Sequence, residues 1–303
     1  MAQRVLMLVL LAAFAATGTA RELTSAYVVP AAANATGNGG TSWHTDLTLS
    51  NPHGYDLPIT IALLPSNRDN SVSVPMVDVE LFPYESLNLW DVLGPGGFDA
   101  FETTGALLVY ADDSAIECGA SSSACDFAVF SRTYTLDPTG RGGEFGQAIP
   151  GFPANLGLDN SVIAYLPQLL EDADFRTNIG AASWTDEWVQ VRLELQDAAG
   201  QIVDRHDTWI PPFGHAQWRL RAGVVGGMAV MFIVDGPSDA VLYPYASVVD
   251  WATGDPVYVE AQLSPVGLTA QAAGARAARK SRALPGRVGV PTFSLERARA
   301  GVR

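Results

Sequence analysis

The side chains best able to do chemistry in this 303-residue chain are four histidines (His44, His53, His206, His215), two cysteines and 32 Asp and Glu. Serine hydrolysis needs a hydroxyl activated by a neighbouring base. No Gly-x-Ser-x-Gly turn occurs, and no histidine stands in a context that pairs it with a nucleophile. Ser131, in "FSRTY", falls in an expected strand, where a hydroxyl is ordinary. Catalytic zinc would suit His-Glu-x-x-His, which is missing. His206 sits between Asp204 and Asp207, and a hairpin could bring it to His215, but histidine beside Asp at a strand edge is common without metal. Glycoside hydrolysis needs two carboxyls at a set separation, and Glu144, Asp174 and Glu194 carry no mark above the other acids. No catalytic residue is expected, and the chain is read as not an enzyme.

Two binding chemistries carry more weight. Calcium takes oxygen ligands from acidic loops, and "YADDS" (110–114), "NRDNS" (67–71) and "LEDAD" (170–174) are oxygen-rich. Asp112, Asp113, Asp172 and Asp174 are the candidate metal ligands, although none completes an EF-hand pattern. No other cofactor is expected. Trp184 and Trp188 flank Asp186-Glu187 in an expected loop and are the candidate ligand-binding pair, because exposed rings stack on sugar faces. Trp209 and Trp218 are read as core or domain contact instead. Cys118 and Cys125 are separated by "GASSSA", a loop long enough to close without strain, so an exported chain is expected to form a disulfide there. Acidic Glu117 and Asp126 beside them oppose a reactive thiolate.

Arg4, the apolar run "VLMLVLLAAFAA" and the small residues "GTA" make residues 1–20 a secretory signal, with cleavage expected after Ala20. No later stretch is apolar for the roughly 20 residues a membrane span needs. The expected location is secreted: extracellular, periplasmic or cell-surface. Residues 22–275 hold 31 acidic and 8 basic side chains, a net of −23, whereas 276–303 hold eight basic side chains and only Glu296, a net of +7. An acidic body excludes the electrostatic footprint of nucleic-acid binding. The basic tail, 266–303, is expected to be solvated and disordered, with an anionic surface or the body itself as its alternative contact.

The elements that would position any site are strands. In "SWHTDLTLSNP" Trp43, Thr45, Leu47 and Leu49 share one face, and in "LPITIALLP" Ile59, Ile61 and Leu63 do the same. The grammar then repeats. Phe175, Arg176, Thr177 and Asn178 follow 132 positions after Trp43, His44, Thr45 and Asp46, and Val191, Leu193 and Leu195 after Ile59, Ile61 and Leu63. The step Pro83-Tyr84 returns as Pro212-Phe213, and "FAVFSRTYTLDPTG" as "LYPYASVVDWATGD". Six segments in one order mean an internal duplication. The expected architecture is all-β, with two tandem immunoglobulin-like antiparallel β-sandwich modules at 21–155 and 156–265.

The phrases "VVPA", "TDLTLSNP", "FSRTY" with "GEFGQAIP", "DFRTNIGAAS" and "YASVVDWATGDPVYV" together resemble a group of exported bacterial proteins with duplicated immunoglobulin-like repeats, largely uncharacterised. Arg132, Thr133, Tyr134, Gly146, Gln147 and Pro150 match one phrase, and Arg176, Thr177 and Asn178 another, over residues 27–262. Position 44 departs, with His44 where the group has Arg, and copy two has Ala246-Ser247-Val248-Val249 in place of "SRTY". The resemblance implies a β-sandwich pair and no catalytic role. The expected function is a non-catalytic secreted or cell-surface scaffold for adhesion, envelope organisation or binding, with a protein or glycan partner. The alternatives are a carbohydrate-binding or calcium-dependent recognition module, then an extracellular hydrolase with an unrecognised site.

Overall fold

The computed structural model describes residues 22–111, 123–137, 140–266 and 285–289, with Leu295 and Arg299. The signal segment 1–20 therefore lies outside the described residues, as does most of the tail. The described chain is almost entirely β-sheet, in layers packed like sandwiches.

The first unit contains β1 (Ala26–Thr36), β2 (Ser42–Ser50), β3 (Leu57–Pro65), β4 (Ser73–Leu81), β5 (Ser86–Leu89), β6 (Thr103–Ala111), β7 (Ala128–Leu136), β8 (Glu144–Pro150) and β9 (Phe152–Pro153). One layer runs β4-β3-β6-β1-β9 and the other β5-β2-β7-β8, joined where the end of β1 leaves β6 to pair with β2. The second unit contains β10 (Val162–Glu171), β11 (Phe175–Ser183), β12 (Val189–Gln196), β13 (Ile202–Ile210), β14 (His215–Arg219), β15 (Val224–Asp235), β16 (Leu242–Asp250), β17 (Pro256–Glu260) and β18 (Gln262–Pro265). Its layers run β13-β12-β15-β10-β18 and β14-β11-β16-β17. Every strand of the first unit has its counterpart nine places later, in the same order. An immunoglobulin sandwich groups its first, second, fourth and fifth strands in one layer and its third, sixth and seventh in the other; here β1, β3, β4 and β6 share one layer and β2, β5, β7 and β8 the other.

Local irregularities repeat along with the order. β1 bulges between Val29 and Ala32, and β10 between Leu166 and Leu169. Each bulge holds a proline, Pro30 and Pro167, which has no N–H to give the ladder. Opposite them stand Gly105 and Gly227, where a Cβ would run into the carbonyl oxygens of Leu64 and Gln196, themselves counterparts. The Pro-aromatic step repeats with its backbone: Tyr84 has φ 58° and Phe213 φ 40°. Their N–H groups donate to His53 O and Thr185 O respectively.

Each unit has its own core. Leu47, Leu49, Ile59, Ile61 and Phe127 belong to the first, and Ile179, Val191, Leu193 and Met231 to the second. A third apolar cluster joins the two. Val28, Ala62, Leu64, Met76 and Leu108, on the outer face of β4-β3-β6-β1, pack against Ala182, Phe213, Val241 and Tyr243 of the second unit. This explains why β3, "LPITIALLP", is apolar on both faces while its counterpart β12, "VQVRLELQ", alternates strictly. On β12 the outer positions carry ion pairs, Arg192 with Asp207 and Glu194 with Arg205.

The expected Cys118–Cys125 disulfide falls on Cys118, which lies outside the described residues; Cys125 is not a free thiol. Cys125 is fully buried in the first core, at the end of a short turn, Ser123–Cys125. The tail, read as solvated throughout, supplies β19 (Gly286–Val288), which pairs parallel with the edge strand β4. Arg287 meets Asp78, Arg299 meets Glu85 and the Phe82 ring, and Leu295 packs on the first core.

Candidate functional site

Period-two alternation on the second unit's sheet β14-β11-β16-β17 builds the junction. Ala216, Ile179, Ala181, Ala246 and Val248 point into the core. The alternate positions therefore face the first unit: His215 and Gln217 on β14, Arg176 and Asn178 on β11, Tyr245 and Ser247 on β16. Gly180 lies between them, and a Cβ there would collide with the Tyr245 ring, so glycine lets that ring lie flat on β11. The first unit answers with small residues, Ala31, Ala33 and Ala35, and with Gln147 and Ile149 from β8. Between the two faces is a cavity of about 270 Å³.

At one wall a chain of hydrogen bonds crosses the junction. Ser66 Oγ lies 2.6 Å from His215 Nδ1, His215 Nε2 lies 2.7 Å from Tyr245 Oη, and Tyr245 donates to Gln217 Oε1 at 2.7 Å. An amide oxygen only accepts, so the Tyr245 proton points to Gln217 and Oη accepts from Nε2–H. Nδ1 is then left to accept the Ser66 hydroxyl proton. His215 is 1% exposed, and burial pushes its pKa down to about 4. Burial likewise pushes the Tyr245 phenol up. Backbone bonds run beside the relay, Asn67 N–H to His215 O and Asn70 N–H to Pro212 O, while Ser247 donates to Gln147 and Tyr243 to Ala154 O. A serine 2.6 Å from a histidine has the look of a nucleophile and its base. Both imidazole nitrogens are already engaged, Nδ1 across the junction with Ser66 and Nε2 within the second unit with Tyr245, and Ser66 Oγ is also 2.8 Å from Thr104 Oγ1.

No protein-family model matches the chain, and no curated protein matches it. Function here rests on geometry.

The residues singled out in the sequence scatter. Asp112 and Asp113 lie outside the described residues. Asp172 is exposed and closes a turn, its Oδ1 accepting from the N–H groups of Asp174 and Phe175; Asp174 is exposed beside it. No group of three or more His, Cys, Asp or Glu placed to hold a metal is found among the described residues. No helix among them is long and apolar enough to cross a membrane. Trp184 belongs to the inter-unit cluster, edge-on to Phe213 at 6.2 Å. His206 and His215 do not converge: His206 is exposed on β13 against Trp218, while His215 is buried at the junction.

Trp188 is different. It is 50% exposed and lines a cleft of about 310 Å³ on the open side of the second unit, between the edge strands β13 and β14. Trp209, 45% exposed, shares the rim, with His206, Thr208 and Gln217 close by. Trp218 closes the floor, its Nε1–H buried without an acceptor among the described residues. A second cleft continues past His206 and Trp218 to Asp204, Glu171 and Arg219. Trp209 and Trp218 are read from sequence as core or domain contact; Trp218 packs on the second core, and Trp209 is 45% exposed. The duplication holds the missed signal, because Trp209 stands where copy one has Glu80, a residue with no reason to become aromatic unless its ring is used.

Proposed function

We propose that this chain is an exported, non-catalytic recognition scaffold, with its recognition face on the open side of the second unit and an oligosaccharide as its ligand. The observation that carries this reading is the pair of half-exposed rings, Trp188 and Trp209, rimming a cleft floored by Trp218. Exposed tryptophans on one rim offer flat apolar surface at low entropy cost. A non-catalytic role accords with the use of Ser66 and His215 as a latch between units. The apolar third cluster holds the cleft on a packed body, as adhesion or surface display requires. Export rests on the signal pattern of residues 1–20.

The test is isothermal titration of the chain with cello- and chito-oligosaccharides and peptidoglycan fragments, with and without calcium. Saturable binding is expected, weakened roughly 30-fold by Trp188→Ala or Trp209→Ala, the loss of a central aromatic anchor, and unaffected by Trp184→Ala. Absence of binding to every sugar, or binding indifferent to both rim variants, refutes the reading. A strict calcium requirement would move the contact to the acidic loops.

A further inference from the structure

A buried arginine without an ion pair among the described residues lines the junction cavity. Arg176 is only 9% exposed and lines the cavity from β11. Its guanidinium lies over the Trp251 ring, 5.4 Å from the centroid, and among the described residues it forms no ion pair and donates no hydrogen bond. Glu171, whose charge acts on Arg176, is already engaged by Arg219 and by the Thr177 N–H. Burial lowers the Arg176 pKa, the neighbouring charge of Arg219 lowers it further, and Glu171 only partly opposes them. Asn178, two residues along the same strand face, lines the same cavity, and its side chain has no hydrogen-bond partner among the described residues.

The duplication supplies the comparison that makes this informative. His44 is the counterpart of Arg176, and its Nδ1 lies 3.1 Å from Asp91 Oδ2. Asp91 belongs to copy one alone. There the chain runs Trp90-Asp91-Val92, with Val92 N–H donating to Thr45 O; in copy two it runs Arg219-Leu220, with Leu220 N–H donating to the equivalent Thr177 O. Copy two has no residue at the place of Asp91, so the position that supplies the carboxylate in copy one is missing there. The counterpart basic side chain is an arginine that lines the junction with the other unit.

We infer that the junction cavity is a binding site for a small organic monocarboxylate, its carboxylate held by Arg176 and Asn178 and its apolar body set against Ile149, Val249 and the alanines of β1. A planar guanidinium matches a carboxylate with two parallel hydrogen bonds. The buried cation would gain the counter-charge it lacks. One cation admits one negative charge, and the apolar half of a mixed wall, Ile149, Val249 and the alanines, favours an organic acid over an inorganic ion. The cavity is smaller than the roughly 300–1,000 Å³ typical of drug-sized ligands, which sets the scale of the acid. The site shares Gln217 with the Trp188 cleft but contains neither rim tryptophan, and it stands or falls without that cleft.

The experiment is calorimetric titration and thermal melting of the chain with butyrate and benzoate, against butyramide, benzamide and inorganic phosphate. The acids are expected to bind saturably and raise the melting temperature, the amides to do neither, and phosphate to bind more weakly than both acids. Arg176→Met should abolish the effect, Arg176→Lys should weaken it about tenfold, the fork being lost and the charge kept, and Trp188→Ala should leave it unchanged. Without ligand, Arg176→Met should melt no lower than the parent, because it removes an uncompensated buried charge. Equal binding of acids and amides, tighter binding of phosphate, acid binding that survives Arg176→Met, or no binding of either acid overturns the inference. If Arg176→Met does not fold, Asn178→Leu takes its place and must weaken the acids alone.

Discussion

Acidification from pH 7 to pH 4 should unfasten the junction through His215, and the size of the effect follows from its burial. Above about pH 6.5 the imidazole is neutral whether the chain is folded or unfolded, and the Ser66–His215–Tyr245 relay is intact. As the pH falls toward 4, the unfolded chain takes up a proton that the buried ring refuses. Stability must therefore fall across that window, and below it His215 costs nothing further because both states are protonated. A depression from 6.5 to about 4, at about 1.36 kcal/mol per pH unit, corresponds to about 3 kcal/mol. Carboxylates protonate over part of the same range, so the measurement is a difference. Urea unfolding of the parent and of His215→Gln is followed at pH 7, 5.5 and 4. The glutamine variant should be less stable at pH 7, and its deficit should shrink by about 3 kcal/mol by pH 4. In the parent, the His215 ring proton should titrate near pH 4 by NMR. Parallel loss of stability in the two proteins, or a ring that titrates near 6.5, would refute the account of a dry, neutral histidine.

Two further perturbations probe the junction and the tail. Gly180→Ala would drive a methyl group into the Tyr245 ring; a loss of about 1–3 kcal/mol is expected from overpacking, read by chemical denaturation, with the relay loosened and the His215 titration moved toward 6.5. Ending the chain at residue 284 removes β19, Leu295 and Arg299. Burial of one leucine sets the scale at about 2 kcal/mol, and the uncovered β4 edge should self-associate in sedimentation, as open edges do.

Much of the fold was legible because strands write themselves as alternation, and the duplication wrote them twice. Leu47, Leu49, Ile59 and Ile61 are core residues on the faces their spacing assigned. The Pro83-Tyr84 and Pro212-Phe213 match proved to be a shared backbone turn with positive φ, a constraint that preserves residue type while loop sequences drift. The site was not legible in the same way. Ser66 and His215 are 149 residues apart and Tyr245 a further 30, and no local pattern reports which outer faces of two sandwiches meet. One trace existed: "LPITIALLP" breaks alternation where "VQVRLELQ" keeps it, the mark of a strand buried on both sides. Trp184 and Trp188 were equivalent in sequence, four residues apart across one turn, and the structure separates them because only Trp184 reaches Phe213. The tail's composition predicted solvation, and composition has no means of recording that three residues suffice to cap an edge strand.

The two faces that meet at the junction are different surfaces: the outer face of β4-β3-β6-β1 in the first unit, and that of β14-β11-β16-β17 in the second. In a duplicated protein such a contact is heterologous, and a heterologous contact repeats indefinitely unless one partner surface is changed. Identical copies would have offered the outer face of β13-β12-β15-β10 to the next molecule and grown into fibres. The second copy instead carries Glu194 and Gln196 where the first has Ala62 and Leu64, and crosses the face with the Arg192–Asp207 and Arg205–Glu194 pairs. Exposed pairs of this kind add little stability. Their effect is to make burial of that face costly, because two desolvated ion pairs would replace the aliphatic packing that copy one provides. Divergence between the copies thus disfavours a further contact of the same kind on that face, and the same divergence, with Asp91 in copy one alone and Arg176 as the counterpart of His44, leaves the junction between the two units with a basic side chain and space beside it.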